Sequence, residues 1–222
     1  MKPRVCKCAP PSGCRPATTS SGYRTNLVYE RHAEYWTSRQ IEQFFTDRGF
    51  KCEALPIHAG IEKQVPADFA FSSSPPTKLF GLQYKVLYQN GHLHWKLDRT
   101  QHRQIAKFPW IYYGLSELES AADRSSALHA LRLKPARFQY AGTLGLGETN
   151  PYSRWWPFFK GLLRCTIGSP IRSREALADA LSSDTVGSER LLRELAHLFL
   201  LDAATQRLII FRETEVPDDL TP

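Results

Sequence analysis

The sequence lacks any run of about 18 apolar residues, so it offers no candidate for a membrane-spanning helix. The stretch from Met1 to Cys14 has no apolar centre of the kind that a secretory signal peptide carries. The chain has five cysteines, and this odd number argues against a framework of paired disulfides. These absences together predict a cytoplasmic protein with reduced thiols and no membrane partner.

Glycine patterns of nucleotide-binding loops are also missing. Gly142, Gly145 and Gly147 are irregularly spaced, and no Gly-Lys-Ser/Thr follows them, which excludes a P-loop or a dinucleotide-binding fingerprint. Any energy-driven movement along a substrate would therefore need a partner protein chain.

Acidic residues are absent from residues 1–24, which are rich in Pro, Ser and Thr and carry several cations. This composition predicts a flexible basic arm. Cys6, Cys8 and Cys14 lie in this arm with a C-x-C-x5-C spacing and no nearby fourth ligand. Because structural zinc sites need four ligands, we interpret these cysteines as incidental thiols.

What the chain does contain is positive charge and enough apolar residues for a core. The formal net charge is +7, and 42% of the 222 residues are hydrophobic. A chain of this composition folds into a globular domain with a substantial core. Its basic surface favours polyanionic partners, nucleic acids above all.

Residues 65–86 contain two strand-like runs on either side of a turn rich in Ser and Pro, residues 72–77. Gln83 and Lys85 share one parity, so their side chains emerge on the same face of the second strand. If the hairpin closes symmetrically about this turn, Asp68 lies nearly opposite Gly81 and diagonal to Gln83. The sequence therefore predicts that a carboxylate, an amide and an amine converge at one end of two paired strands.

Pro66-Ala67-Asp68, followed after fourteen residues by Gln83-Tyr84-Lys85, resembles the active-site signature of the PD-(D/E)xK nuclease superfamily. Gln83 stands where the commonest form has Glu, and this is similar to the QxK variant of Mrr-like members. The resemblance covers roughly residues 28–118. It implies the α/β restriction-endonuclease-like core, with a helix, a three-stranded hairpin sheet, a second helix and a further strand.

Other segments of the sequence predict helices and strands in the same order, which supports the resemblance that the motif indicates. The prediction is a helix over 28–49 ending at Gly49, a strand over 50–57, a tight turn at Asn90-Gly91, a helix over 98–107 capped by Asp98, and a buried strand over 110–115. The nuclease-like core accordingly spans residues 25–120.

On the first predicted helix, Glu34 lies on almost the same line of the surface as Ile41, and Glu30 lies one turn before it. A carboxylate on an apolar stripe needs a partner or a metal ion. The resemblance implies that this helix supplies an extra acid to the metal site, with Glu34 as the first candidate and Glu30 as the reserve. The alternative is that these acids lie at a solvent-exposed edge of the helix and pair with Arg31 or Arg39.

The resemblance implies hydrolysis of DNA phosphodiester bonds with Mg²⁺, or Mn²⁺, as cofactor. In that interpretation Asp68, Glu34 and Gln83 hold the metal, and Lys85 orients the attacking water or stabilises transition-state charge. Nucleases with this signature act in restriction, phage defence, mobile elements and repair. Cutting both strands with one site per chain favours a homodimer.

The second predicted helix carries residues that we expect to contact DNA phosphates beside the site: Arg99, Gln101, His102, Arg103 and Lys107. The alternative for these side chains is a solvated helix face. His92 and His94 share a strand face and are interpreted as surface residues or phosphate contacts rather than as metal ligands.

The remaining sequence predicts a flexible connection over 121–150, with a strand over 136–144, and a mostly helical region over 151–222 packed on the core. The aromatic cluster between Tyr152 and Phe159 is typical either of base stacking or of core packing. Ser169-Pro170 predicts the start of another helix, followed by an amphipathic helix over 189–201 and a strand over 206–211.

Two further functions fit the same residues. A catalytically inactive nucleic-acid-binding module on the same fold suits the Gln in place of Glu and the basic surface. A protein-interaction scaffold would use the C-terminal aromatic helices. For the site itself, the plain structural alternative is a cross-strand ion pair between Asp68 and Lys85.

Overall fold

The structure is a computed structural model that describes residues 24–25, 28–57, 65–74, 78–90, 92–146, 152–171, 176 and 179–180. Within these residues the chain is a mixed α/β protein, which confirms the predicted class. None of the helices found there combines the length and the apolar composition that crossing a bilayer requires.

The first helix, α1, spans Glu30–Thr46 and confirms the helix predicted over 28–49. It buries Ala33, Ile41 and Phe45 at helical spacing, which is the stripe that packs on the sheet. The chain leaves the helix through Gly49, whose φ of 76° is a left-handed conformation that glycine adopts without strain.

Three antiparallel strands follow, namely β2 (Lys51–Pro56), β3 (Phe69–Ser74) and β4 (Lys78–Lys85). The predicted first strand and the predicted hairpin are both confirmed. The hairpin register differs from the prediction by two residues, because Ser72 and Ser73 stay in β3 and pair with Leu79 and Lys78 rather than forming the turn. A shift of two residues preserves which side chains share a face.

A second, smaller sheet is built around the two strands that follow β4 in the chain, and it also takes in one strand from before α1 and one from further along the chain. Its described strands are β1 (Arg24–Thr25), β5 (Leu87–Asn90), β6 (His92–Lys96) and β9 (Thr143–Gly145), in the order β1-β5-β6-β9. Antiparallel pairing of β5 with β6 confirms the chain reversal predicted here. Asn90 pairs with His92 and so belongs to β5 rather than to the two-residue turn predicted at Asn90-Gly91.

Helix α2 (Arg99–Ile105) then returns the chain to the main sheet, and β7 (Ile111–Ser116) pairs parallel to β4. Both elements were predicted, and every residue of β7 is buried. The Asp98 carboxylate accepts a hydrogen bond from the backbone N–H of Gln101 at 2.7 Å, which confirms it as the N-cap of α2.

The flexible connection predicted over 121–150 is wrong for the part that the structure describes. A 3₁₀ helix spans Ala121–Ser126, β8 spans Leu131–Pro135 and pairs with β7, and β9 joins the smaller sheet. The strand predicted over 136–144 is wrong for residues 136–142, which are not strand, and only its last two residues fall in β9 (Thr143–Gly145). Strand β8 lies before the predicted range, and its Leu131 and Leu133, which alternate with charged residues, are buried on one face.

The C-terminal region begins with β10 (Ser153–Arg154) and α3 (Trp155–Leu163). Trp155, Phe158 and Phe159 are all buried, so this part of the aromatic cluster packs a core. Ser169-Pro170 does not start a helix, because Gly168 has a φ of 72° and the chain continues as β11 (Ser169–Pro170) beside β4.

The main sheet therefore has the order β10-β8-β7-β4-β3-β2 among the described strands, with β11 added beside the start of β4. Side chains of β4 divide between two apolar clusters: Leu79 packs with Trp110 and Leu115, whereas Phe80 and Leu82 pack with residues of α1 and α3. The basic arm with Cys6, Cys8 and Cys14, the helix predicted over 189–201 and the strand predicted over 206–211 lie outside the described residues.

Candidate metal centre

The predicted site residues come from α1, β4 and the residue before β3. Asp68 immediately precedes β3, while Gln83 and Lys85 lie at the end of β4. Glu30 and Glu34 lie in the first two turns of α1. Because Phe69 pairs with Leu82, one further step along the register places Asp68 opposite Gln83, instead of diagonal to it as predicted. The predicted convergence is thus closer than the sequence alone indicated.

Backbone and side-chain donors of β4 hold the Asp68 carboxylate in place. Its Oδ2 accepts a hydrogen bond from the backbone N–H of Tyr84 at 2.6 Å. The Gln83 side-chain nitrogen Nε2 lies 2.8 Å from Oδ1 and 2.7 Å from Oδ2. Through its backbone, Asp68 donates to the Leu82 carbonyl and accepts from the Ile57 N–H. The carboxylate is therefore fixed relative to two neighbouring strands.

Three carboxylates meet at this point. Ligand oxygens of Glu30, Glu34 and Asp68 all lie within 4.8 Å of one another. The two glutamates lie four residues apart, so they project from the same side of α1 towards the strand that carries Asp68. Across the described ranges of the chain, no other group of three His, Cys, Asp or Glu side chains comes together in this way.

Burial and like charge act together on Asp68. Burial is the largest cause that raises its pKa, followed by the negative charge of Glu34, and the pKa reaches about 7. Lys85 and the Tyr84 N–H act in the opposite direction, and Glu30 adds to the increase. The site is therefore short of positive charge, and a bound cation would relieve the repulsion among the carboxylates.

Lys85 joins the cluster through Glu30. The Lys85 Nζ lies 2.8 Å from Glu30 Oε1, and the lysine side chain is only 12% exposed. The sequence also allowed a simple ion pair between Asp68 and Lys85. This pair does not form, because Lys85 pairs with the carboxylate of Glu30 instead. The ammonium nevertheless lies near enough to lower the Asp68 pKa. A cationic amine therefore lies beside the three acids, on the same side of the sheet.

Gln83 differs in detail from the prediction. The sequence predicts a metal ligand through the amide oxygen, whereas the amide nitrogen faces Asp68 here. Oxygen Oε1 is buried and has no hydrogen-bond partner among the residues that the structure describes. A half-turn of the amide would bring this oxygen to the carboxylate cluster, at the cost of both bonds to Asp68.

The donor set fits a hard divalent cation. Carboxylate and amide oxygens are the ligands that Mg²⁺ and Mn²⁺ prefer, and the cluster contains neither thiolate nor imidazole. Asp68, Glu34 and Glu30 would hold such an ion, with Gln83 as a neutral fourth donor. Sequence reasoning placed Glu30 second to Glu34, yet the structure brings both to the site, and their four-residue spacing was the signal for this.

Helix α2 has two exposed cations, Arg99 and Arg103, and a half-buried Gln101, and Lys107 is exposed just after the helix. These four positions are consistent with the exposed face expected for the helix predicted over 98–107. His102 contradicts that expectation. Its ring is buried, with Nδ1 3.1 Å from the Tyr113 hydroxyl and Nε2 3.0 Å from the Phe138 carbonyl. Residues 102 and 105 lie on the face of α2 that packs on the sheet, so His102 is not a phosphate contact.

Comparisons of this chain with protein-family models, with curated proteins and with solved structures find no match. The geometry and charge of the site therefore carry the functional conclusion.

Proposed function

We propose that the protein is a metal-dependent nuclease that hydrolyses phosphodiester bonds of DNA. The observation that carries this proposal is the meeting of Asp68, Glu30 and Glu34 beside the ammonium of Lys85. One helix and two strands place these four side chains together although they are distant in sequence. An arrangement of this composition is suited to phosphoryl transfer, where negative charge must be stabilised while a water molecule attacks.

The topology supports a restriction-endonuclease-like core. The chain runs through α1, the antiparallel strands β2, β3 and β4, then α2, and ends in β7 parallel to β4. This is the order that the PD-(D/E)xK resemblance implies, with the β5–β6 hairpin inserted before α2. The acid of the motif precedes β3, and its Gln and Lys end β4, so the three residues meet at one end of two paired strands. This placement supports the proposal.

The residues of the chain divide the chemical work between them. A bound Mg²⁺ or Mn²⁺ would supply Lewis-acid stabilisation of the phosphate and an activated water. Asp68, Glu30 and Glu34 supply the negative charge to hold it, which compensates for the neutral Gln83. Lys85 donates hydrogen bonds from its ammonium to the attacking water or to a phosphate oxygen. Exposed cations of α2 neutralise the neighbouring DNA phosphates.

Cleavage assays test the proposal directly. Purified protein is incubated with plasmid and with linear DNA in Mg²⁺, in Mn²⁺ and in EDTA. We expect cleavage with either metal and none with EDTA. Asp68→Asn and Lys85→Met should each lower the rate by about 100-fold or more, since each removes a charge that acts on the transferring phosphate.

Matched controls come from exposed residues outside the site. Asp123→Asn in the 3₁₀ helix and Lys96→Met in β6 make the same chemical changes on the surface. Both variants should cleave as the wild type does. Equal activity of the Asp68 and Lys85 variants and their controls, or no cleavage by the wild type, would reject the proposal.

The orientation of Gln83 favours one alternative, a catalytically inactive DNA-binding module. Its amide nitrogen satisfies Asp68 without any metal ion, so the site is internally bonded as it stands. Such a module would bind DNA in a salt-dependent manner, and neither EDTA nor Asp68→Asn would change the affinity. A scaffold that uses the C-terminal aromatic residues has less support, because most of those of α3 are buried.

A further inference from the structure

Two consecutive residues of β4 bond α1 on either side of Glu34. Lys85 pairs with Glu30 in the first turn, with 2.8 Å between Nζ and Oε1. The Tyr84 hydroxyl lies 3.1 Å from the Ser38 hydroxyl, about two turns further along the helix. Residues 30, 34 and 38 follow one another at intervals of four along one side of α1. Glu34 is therefore flanked by a contact with β4 on each side.

Tyr84 also holds Asp68, through its backbone. Its N–H donates a hydrogen bond to Asp68 Oδ2 at 2.6 Å. One residue thus bonds the central carboxylate with its main chain, and the helix that carries the other two carboxylates with its side chain. Burial raises the pKa of the Tyr84 hydroxyl, the Ser38 bond acts in the opposite direction, and the charges of Asp68 and Glu34 raise the pKa further. Both carboxylates are therefore close to this hydroxyl.

The Tyr84 ring is fully buried and enclosed from two sides. Gly114 of β7 is its register partner, and a Cβ at that position would lie only 3.0 Å from the ring carbon Cδ1. From β3 the Phe69 ring packs edge-on against it, with 6.2 Å between the ring centres. A ring enclosed in this way has little room to follow a displaced helix. The sheet therefore fixes the place of the hydroxyl that meets Ser38.

We propose that Tyr84 and Ser38 are positioning residues of the metal centre, which set the distance between the glutamates of α1 and Asp68. This inference rests on the proposed nuclease function and adds two residues to it, neither of which is a ligand. Because a helix is rigid over two turns, a contact at Ser38 fixes the place of Glu34 about 6 Å away along the axis. Loss of such outer partners typically lowers metal affinity or activity by about 10–100-fold.

The alternative is that the hydroxyl pair only stabilises the fold. Stability and metal binding separate in the double variant Ser38→Ala/Tyr84→Phe. Removing one hydroxyl leaves the other buried without this partner, whereas removing both leaves no such group, so stability recovers. The link between the sheet and the helix stays broken in the double variant, so metal binding does not recover.

Isothermal titration calorimetry with Mn²⁺ at pH 8 measures metal binding, and chemical denaturation measures the stability of the same proteins. We expect Ser38→Ala, Tyr84→Phe and the double variant each to weaken Mn²⁺ binding by about tenfold. The double variant should nevertheless unfold close to the wild-type denaturation midpoint. Wild-type Mn²⁺ affinity in the double variant would overturn the inference.

The matched control is Tyr113→Phe, which removes a buried tyrosine hydroxyl of the neighbouring strand β7. The partner of that hydroxyl is His102 in α2 rather than a residue of α1. This variant should lower the denaturation midpoint and leave Mn²⁺ affinity within about twofold of the wild type. An equal loss of Mn²⁺ binding in Tyr113→Phe and in the double variant would also overturn the inference, because the loss would then follow from weakened packing alone.

A measurement without metal separates this inference from the nuclease. Asp68→Asn removes the repulsion between Asp68 and Glu34, so it should raise the denaturation midpoint at pH 8. In the Ser38→Ala/Tyr84→Phe background, where α1 is no longer held against Asp68, this gain should fall by at least half. A gain that is the same in both backgrounds overturns the inference, whatever the protein does with Mn²⁺. A wild type that neither binds Mn²⁺ nor cleaves DNA, but shows the reduced gain, rejects only the nuclease.

Discussion

The two halves of α1 use one helical face for opposite purposes. Towards the C-terminus, Ile41 and Phe45 are fully buried in the aromatic cluster that α3 completes. Towards the N-terminus, Glu30 and Glu34 occupy the continuation of the same line and face Asp68. The same strand, β4, receives both halves: Phe80 and Leu82 belong to that aromatic cluster, and Lys85 pairs with Glu30.

The difference between these halves shows which part of the helix stabilises the fold and which part reduces its stability. Burying Phe45 removes apolar surface from water and is favourable. Bringing three carboxylates together at a poorly solvated site is unfavourable, and the raised pKa of Asp68 reflects this cost. Residues that work against stability in this way are typical of functional sites. The apolar half and the acidic half of α1 should therefore respond differently to substitution.

The largest effect is expected at the apolar half. Phe45→Ala should lower the free energy of unfolding by about 3–5 kcal/mol, since it removes a buried ring that contacts Phe50, Trp155 and Phe159. Chemical denaturation followed by circular dichroism measures this loss. Asp68→Asn serves as the comparison from the acidic half and should not lower stability at pH 8. A loss below about 1 kcal/mol for Phe45→Ala would mean that the apolar half is not the stabilising one.

A second effect belongs to the acidic half and depends on pH. The folded protein holds a proton on Asp68 up to a pKa of about 7, while the ordinary value for this carboxyl is 3.8. Between these values the folded state binds more protons than the unfolded state, so stability without metal falls as pH rises from about 4 to 7. The slope attributable to Asp68 is at most about 1.4 kcal/mol per pH unit. Denaturation midpoints over this range measure it.

Two variants isolate the contribution of Asp68. Asp68→Asn should flatten the slope, because its side chain is neutral at every pH, whereas Asp123→Asn on the surface should leave the slope unchanged. Adding Mg²⁺ above pH 7 should raise the stability of the wild type and not that of Asp68→Asn. An identical pH profile in wild type and Asp68→Asn would show that this carboxyl titrates normally in the folded protein.

Much of the acidic half could be predicted because it depends on short-range periodicity. Strand alternation placed Gln83 and Lys85 on one face, and the two-residue shift of the hairpin left that result intact. Helical spacing placed both Glu30 and Glu34 on the line of Ile41. The choice of Glu30 as the partner of Lys85 could not be predicted, because it depends on how α1 lies across β4.

Features that depend on packing between segments distant in the chain could not be predicted from the sequence. His102 is buried because the Phe138 carbonyl and the Tyr113 hydroxyl meet its ring, and neither is near it in the chain. Strand β8 was missed although Leu131 and Leu133 alternate with Arg132 and Lys134, because the strand of this region was expected to start only at residue 136. Arg132 is accommodated by an ion pair with Glu117 at 2.5 Å. Tertiary contacts thus pair polar and charged side chains in segments that local composition alone would assign to a loop or to an exposed face.

The smallest effect is expected at the junction between the two halves. Ser38 lies between Glu34 and Ile41 on the inner side of α1, and its hydroxyl is 3.1 Å from the Tyr84 hydroxyl, with both groups buried. Ser38→Ala should destabilise the fold by about 1–2 kcal/mol, because it leaves the Tyr84 hydroxyl without this partner. Adding Tyr84→Phe removes the orphaned hydroxyl, so the double variant should regain most of the loss. If denaturation shows that the two substitutions are simply additive, the hydroxyl pair does not join the apolar half to the strand that carries the site.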